Sequence, residues 1–235
     1  ATWNLATGTS TWSYALTPSI DGTYSYYSKA TDNATNLQSP VANITSVVYD
    51  TTNPTGSWNS PADNVTISGS TTLDVTAADS LSGVASVKFQ HKVSTATSFT
   101  DIATGTWDTT PLALGQYTIR AVITDKSGNV TNIDRTIYVA AVITSISNFT
   151  IDQSRIQINW TTDRPTDARV IFDKVSHAVI DPAAAPNYGY ASSTGTADTT
   201  FATSHQMIIS GLSDTTSYYF RAVSAGTPVV ISEER

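Results

Sequence analysis

Residues 106–129 read TWDTTPLALGQYTIRAVITDKSGN, and residues 11–36 read TWSYALTPSIDGTYSYYSKATDNATN. Aligned, Trp12 matches Trp107, Gly22-Thr-Tyr24 matches Gly115-Gln-Tyr117, and Asp32 and Asn36 match Asp125 and Asn129. The last two pairings share an offset of 93 residues, the size of one small β-sandwich, so one module occurs twice. Within the second copy, Tyr117, Ile119, Ala121 and Ile123 alternate with Thr118, Arg120 and Thr124. Alternation with a period of two, closed by an Asp-Lys-Ser-Gly-Asn turn, predicts a strand with one buried face running into a hairpin.

The same pattern recurs outward from this stretch. Leu73, Val75 and Ala77 alternate along 71–77, Val87 and Phe89 along 85–91, and a further run covers 133–139. Beyond Ala140-Ala141, Ile156, Ile158 and Trp160 alternate with Arg155, Gln157 and Asn159. Val170 and Phe172 share a face, Met207, Ile209 and Leu212 follow, and Tyr218, Phe220 and Ala222 alternate with Tyr219, Arg221 and Val223. No stretch sustains a 3.6-residue period. The join at Ala140-Ala141 carries no flexible linker, which predicts restricted bending there.

Composition agrees. Of 19 acidic residues all but Glu233 and Glu234 are Asp, which favours turns and caps over helix interiors. Thr, whose branched Cβ suits a pleated surface, is abundant. The expected fold class is all-β: tandem immunoglobulin-like β-sandwiches. A net charge of −7 with no basic cluster disfavours nucleic acid and anionic membranes as partners. No apolar run approaches the ~18 residues of a membrane-spanning helix, and no signal or lipidation motif is visible. The absence of cysteine removes disulfides, cysteine-based zinc sites and thiol nucleophiles.

Residues 54–140 resemble a bacterial Ig-like domain. The resemblance rests on Asp50-Thr-Thr-Asn-Pro54, Ala78-Asp-Ser-Leu-Ser-Gly-Val84, Trp107-Asp-Thr-Thr110, Gly115-Gln-Tyr117 and Thr124-Asp-Lys-Ser-Gly-Asn129. Residues 1–53 resemble the C-terminal part of the same domain, truncated at its start. Ala34-Thr35 there replaces the Ser-Gly turn, which predicts a hairpin of different shape. Residues 141–235 resemble a fibronectin type III domain with its last strand incomplete. Ile158-Asn-Trp160-Thr161 and Gly211-Leu212-Ser-Asp-Thr-Thr216-Ser-Tyr218 carry that likeness. The spacing from Leu212 to Tyr218 matches a corner in which a tyrosine hydroxyl bonds back to upstream backbone. The resemblance implies non-catalytic spacer modules of a bacterial cell-surface or secreted protein, extracellular and flanked by similar modules. Adhesin modules binding glycan or host-surface protein, and accessory domains of a secreted carbohydrate-active enzyme, are the alternatives it leaves open.

There is no G-x-S-x-G elbow, H-E-x-x-H, G-x-G-x-x-G or P-loop. His91, His177 and His205 share no motif, and a structural role is expected for them. Paired carboxylates for glycosidase chemistry require a cleft, which small sandwiches do not provide. Six Asn-x-Ser/Thr sequons (Asn33, Asn43, Asn64, Asn129, Asn148 and Asn159) are expected by chance in a chain so rich in Asn and Thr. Nothing in the spacing singles out Lys29 or Lys88 for an isopeptide bond.

Two sets of residues stand as candidate contacts. The resemblance places Asp50 in an interdomain linker, near the end of a module whose hairpin carries Asp32 and Asn36. Asp79, Asp125 and Asn129 supply comparable loop oxygens in the second module. Such hard oxygen donors suit calcium, while Asp-x-x-Gly-Asn is equally a turn in which Asp caps backbone N–H groups. For glycan contact the candidates are Tyr24 and Tyr26, on one strand face, and Tyr188 and Tyr190, in a loop-like stretch. Packing in the core or at a sheet edge is the competing role for these rings.

Overall fold

A computed structural model describes residues 3–38, 42–194, 198–224, 226 and 228–235. The first strands are β1 (Gly22–Ser28) and β2 (Ala42–Tyr49), an antiparallel pair with a register shift between Tyr24 and Tyr26. The central segment holds β3 (Thr55–Ser60), β4 (Val65–Ile67), β5 (Ser70–Thr72), β6 (Asp74–Ala78) and β7 (Val84–Val93). It continues through β8 (Thr100–Ile102), β9 (Thr106–Asp108), β10 (Gly115–Asp125) and β11 (Val130–Val139). The remaining strands are β12 (Ile143–Asp152), β13 (Arg155–Asp173), β14 (Ser192–Ser193), β15 (Asp198–Ile209), β16 (Tyr219–Ser224) and β17 (Val230–Ile231). The helical content among the described residues is one 3₁₀ turn, Pro182–Ala184.

The central strands form a sheet ordered β4-β11-β10-β7-β8, with β3-β6 and β5-β9 as separate pairs. β4 runs parallel to β11. The alternation read from the sequence governs burial here: Tyr117, Ile119, Ala121 and Ile123 are all nearly inaccessible. One expectation is corrected. The run 71–77 is not a single strand, because Leu73 leaves the ladder to donate its N–H to Gly105 O at 2.8 Å. On either side of it, β5 pairs with β9 and β6 with β3.

By backbone contact the chain divides into two units. One comprises Ala1–Ser57, Val75–Lys88 and Ala121–Ile133, the other Trp58–Asp74, Phe89–Arg120 and Asp134–Arg235. In the first unit the β1–β2 ribbon leaves Trp12 at 51% exposure and Ile20 at 72%. Trp107, the counterpart of Trp12, lies in the second unit and is 2% exposed. The ribbon nevertheless repeats the hydrogen bonds of the second copy. Tyr24 Oη donates to Ile20 O at 2.5 Å as Tyr117 Oη donates to Ala113 O at 3.1 Å.

The second unit contains the C-terminal sandwich. β13 serves both of its sheets. Its N-terminal half pairs with β12 and β15, and its C-terminal half with β16 and β14. Register shifts between Thr161 and Thr166 mark the changeover. Ile158, Trp160, Ala168, Val170, Ile209, Phe220 and Ala222 form the core between them, as the alternation predicts. The outer face of β16 is a correction, since Arg221 and Val223 are also buried. Val223 packs with Ile171 and Tyr190 in a second cluster under the segment after β13. The tyrosine corner is present: Ser213 N–H donates to Tyr218 Oη at 3.0 Å. No described helix is long and apolar enough to cross a membrane.

Trp160 anchors this sandwich. Its indole N–H donates to Ser224 Oγ at 2.9 Å and its ring stacks on His205 at 5.1 Å. Trp160→Ala should cost about 3–5 kcal/mol, read by scanning calorimetry. Val179→Ala, at a residue 84% exposed, should stay within about 0.5 kcal/mol.

Candidate metal centre

Three loops of the first unit converge on Asp50, Asp79 and Asp125, and each loop is built around its own aspartate. After β10, Asp125 Oδ1 accepts N–H bonds from Ser127 at 2.8 Å and Asn129 at 2.9 Å. Its Oδ2 accepts from Asn129 Nδ2 at 2.7 Å. The turn needs a left-handed residue at its fourth position, which Gly128 supplies at φ 94°. Before β7, Asp79 Oδ1 accepts from Leu81 N–H at 3.1 Å, Ser82 Oγ–H at 3.3 Å and Gly83 N–H at 2.7 Å. In the linker after β2, Asp50 Oδ1 accepts from Thr52 N–H at 3.0 Å. Asp has the reach for these local bonds, and the longer Glu does not.

Further bonds tie the loops together. Asp50 Oδ2 accepts from Ser82 N–H at 3.1 Å, and Asp50 O accepts from Asn129 Nδ2 at 3.0 Å. From the other side, Asp21 accepts Thr51 N–H at 3.0 Å and the hydroxyls of Thr51 and Thr52 at 2.8 and 2.7 Å. One carboxylate oxygen from each of Asp50, Asp79 and Asp125 lies within 4.8 Å of the others. Asp125 is 1% and Asp50 7% exposed, and Asp79 is half-buried.

Such an arrangement concentrates negative charge away from water. Burial pushes the Asp125 carboxyl up. The side-chain bond from Asn129 and the backbone N–H groups of Asn129, Ser127 and Gly128 outweigh it, so the group lies below the usual carboxylate range. It stays ionised at neutral pH. Among the described residues, no Lys, Arg or His comes within ion-pair distance of the three carboxylates. Two oxygens on one calcium ion are separated by at most twice its ~2.3–2.6 Å bond length, about 5 Å. The trio meets that limit, and its donors are hard oxygens, so the residues present fit such an ion.

Of the six sequence candidates the structure brings four together: Asp50, Asp79, Asp125 and Asn129. Asn129 acts through its side-chain amide on Asp50 and Asp125. Asp32 and Asn36 stand apart and exposed, in a hairpin of their own. The expectation that this hairpin differs in shape is overturned. Asp32 Oδ1 accepts from Ala34 and Asn36 N–H at 2.9 Å each, and Asn36 Nδ2 donates to Asp32 Oδ2 at 2.8 Å, as in the second copy. Thr35 takes the place of Gly128 at φ 70°, an unfavourable conformation for a β-branched residue. The aspartate lattice thus enforces the turn against local preference. The side chain of Asn43, one of the sequons, lies outside the described residues.

The tyrosine candidates divide. Tyr24 and Tyr26 are half-buried and stack on each other at 6.3 Å, and Tyr188 is half-buried beside the second cluster. Tyr190 is corrected as a glycan contact: at 3% exposure it offers no free ring face. Its hydroxyl donates to Glu234 Oε1 at 2.6 Å and accepts from Arg221 Nε at 2.8 Å. Burial, then the bond to Glu234, pushes this phenol up to about 12. Arg221 further donates to the carbonyls of Ser232, His177 and Ala178. His177 bonds Asp173 Oδ2 at 3.0 Å, and His205 Nε2 lies 3.0 Å from Thr162 Oγ1.

Sequence reasoning missed Arg164. The residue is 9% exposed, and its guanidinium donates to the carbonyls of Thr109 at 3.2 Å, Leu112 at 3.3 Å and Ala140 at 2.6 Å. The Asp-Arg-Pro sequence in which it sits gives no local sign of these distant partners.

Residues 54–121 match the family model described as bacterial Ig domain. No curated protein matches the chain. Among solved structures, the two-domain fibronectin type III segment of chicken tenascin is 15% identical, with a TM-score of 0.46, over 78% of this chain and 97% of that one. A tetra-tandem repeat from the extending region of a large adhesion protein is 16% identical, with a TM-score of 0.36, over 91% of this chain and 55% of that one. The fibronectin(III)-like modules of Clostridium thermocellum CbhA are 12% identical, with a TM-score of 0.30, over 77% and 90%. At these values no residue role passes from them to this chain.

His91 provides a pH test. It is half-buried against Trp107 at 5.3 Å and Tyr117 at 6.0 Å, and its Nδ1 has no hydrogen-bond partner. Burial holds its pKa below the ordinary value of 6.5. The unfolded chain therefore takes up this proton first, and the stabilisation is complete above pH 6.5 and lost as pH falls through the lowered value. Urea midpoints of the wild type should fall faster than those of His91→Phe from pH 6.5 downward. Parallel curves contradict this assignment.

Proposed function

We propose that the chain is a non-catalytic spacer from a bacterial cell-surface or secreted protein, in which Asp50, Asp79 and Asp125 hold a calcium ion that stiffens the linker between the first and second modules. The observation that carries this reading is the trio itself, with Asp50 and Asp125 buried and Asp79 half-buried. Three carboxylates from three loops share one small volume without a protein cation, and one of them belongs to the linker. An ion there joins Asp50 to the hairpin of Asp125 and the loop of Asp79, so bending the linker would break coordination bonds. The family match over residues 54–121 supports the bacterial surface setting, and the tandem repeat supports neighbouring modules as the direct partners.

The same reading explains why the two hairpins differ in surroundings. Asp125 has Asp50 and Asp79 beside it, whereas the matching Asp32 and Asn36 are open to solvent. In this proposal the complete trio, and not the Asp-to-Asn turn, makes the site.

Extracellular modules bind calcium with Kd values of about 10⁻⁴–10⁻³ M. At 10 mM calcium such a site stabilises the fold by about 1.4–2.7 kcal/mol, or roughly 3–10 °C in Tm for a chain of this size. The melting temperature should rise by that amount with calcium and fall back with EDTA. Asp79→Asn, which keeps an acceptor for the loop N–H groups, should abolish the response. An unchanged melting temperature in the wild type would sink the calcium assignment.

A further inference from the structure

The outward face of β12, β13 and β15 is unlike an ordinary solvated sheet. Register places its side chains in three rows across the strands: Ser145–Thr161–Ser204, Ser147–Asn159–Gln206 and Phe149–Gln157–Ile208. None of the nine positions is charged. Solvent-facing positions of a sheet are usually where charged residues keep edges and faces soluble, and 13% of this chain is charged. A shallow groove of about 290 Å³ runs over this face, lined by Ser145, Ser147, Asn159, Thr161, Ser204 and Gln206, with Trp160 and His205 from the inward-facing positions between them. That volume falls just short of the ~300–1,000 Å³ of enclosed small-ligand sites, as befits an open face that a chain would lie across.

The amides on this face are fixed in place. Gln206 Nε2 donates to Gln157 Oε1 at 3.0 Å, and Gln157 Nε2 donates to Asn159 Oδ1 at 2.9 Å. This ladder runs across two strands and links the three amides. It leaves Asn159 Nδ2 as donor and Gln206 Oε1 as acceptor without partners among the described residues. The hydroxyls of Ser145, Ser147 and Ser204 are likewise unengaged there. One row beyond the groove, Phe149 is 64% exposed and Ile208 45%. The face therefore combines pre-ordered neutral donors and acceptors with one open aromatic ring.

We propose that this face binds a neutral, hydroxyl-rich glycan chain, with Asn159, Gln206 and the three serines bonding its hydroxyls and Phe149 packing on a sugar ring. Charge decides among occupants. Nucleic acids, acidic glycans and anionic lipid surfaces need cations, and the grid has none in a chain of net charge −7. A stable protein partner needs an apolar centre within ~800 Å² of surface per side, whereas the centre here is amide and hydroxyl. A neutral polyol exchanges its water bonds for the ladder at little cost in ordering, because the amides are already held. The site lies on different strands from Tyr24 and Tyr26 and stands independently of the calcium reading.

Native affinity electrophoresis tests it directly. The full chain would be run through gels containing mixed-linkage β-glucan, hydroxyethylcellulose, xylan, galactomannan or dextran, with pectate as the acidic comparison. At least one neutral polysaccharide should retard the protein. Asn159→Ala combined with Gln206→Ala should weaken that retardation at least tenfold, and Phe149→Ala should weaken it several-fold, with melting temperatures unchanged. Retardation by pectate alone, by none of the neutral polymers, or equally for wild type and variants would overturn the proposal. Concentration-dependent dimerisation removed by Phe149→Ser would overturn it too, by assigning the face to a second copy.

Discussion

The side chain of Asp125 closes a hairpin and faces a neighbouring linker at once. Its two oxygens take three hydrogen bonds from the five-residue turn between β10 and β11, and Asn129, locked by that turn, reaches Asp50 O. Once the turn forms, the linker carboxylate of Asp50 is drawn to within ligand distance of Asp125 and Asp79. The fold thereby collects three like charges at a place with little water. Removing any hydrogen bond of the turn leaves a buried anion undersatisfied, which costs far more than the bond itself contributes. A divalent cation reverses the balance, since the same carboxylates become its ligands.

A different solution holds the segment around Ala140. There the charge is the cation of Arg164, and the acceptors are the carbonyls of Thr109, Leu112 and Ala140. Asp163 stands 3.5 Å from Arg164 Nε and also accepts the N–H of Val142 at 2.6 Å. Carbonyl oxygens around a guanidinium are the protein-only counterpart of oxygens around a metal ion. The planar fork of Arg suits it to several acceptors in one plane, and the arrangement needs nothing from solution. Position 143, the counterpart of Asp50 by the repeat offset, is an isoleucine. The linker after β2 is acidic and suited to an ion, while the one after β11 carries its own cation.

Much of this was legible in residue order. The matched Gly-x-Tyr and Asp-to-Asn segments announced the repeat, and alternation named the core around Ile119 and Trp160. Aspartates at loop positions marked three of the converging carboxylates. What escaped was set by distant partners. Thr35 in a left-handed conformation reads as a poor turn residue until the Asp32 bonds that hold it are seen. Arg221 and Val223 alternate like outward residues, yet the segment carrying Tyr188 and Tyr190 covers them. β13 passes from one sheet to the other through Thr161-Thr-Asp-Arg-Pro-Thr-Asp167, a polar run with a proline that reads as a loop and yet stays in the strand. Arg164 and Glu234 find their acceptors and donors tens of residues away, and no local period records such contacts.

The amide ladder of Gln157, Asn159 and Gln206 belongs to the same class, since alternation placed only Gln157 and Asn159 on a shared face. The central claim, however, concerns the aspartate trio. Isothermal titration of the calcium-free chain with calcium chloride measures it most directly. The account predicts a single site per chain, with heat released or absorbed in wild type and none in Asp125→Asn. A wild-type titration indistinguishable from dilution, or an isotherm that Asp125→Asn leaves intact, would contradict it.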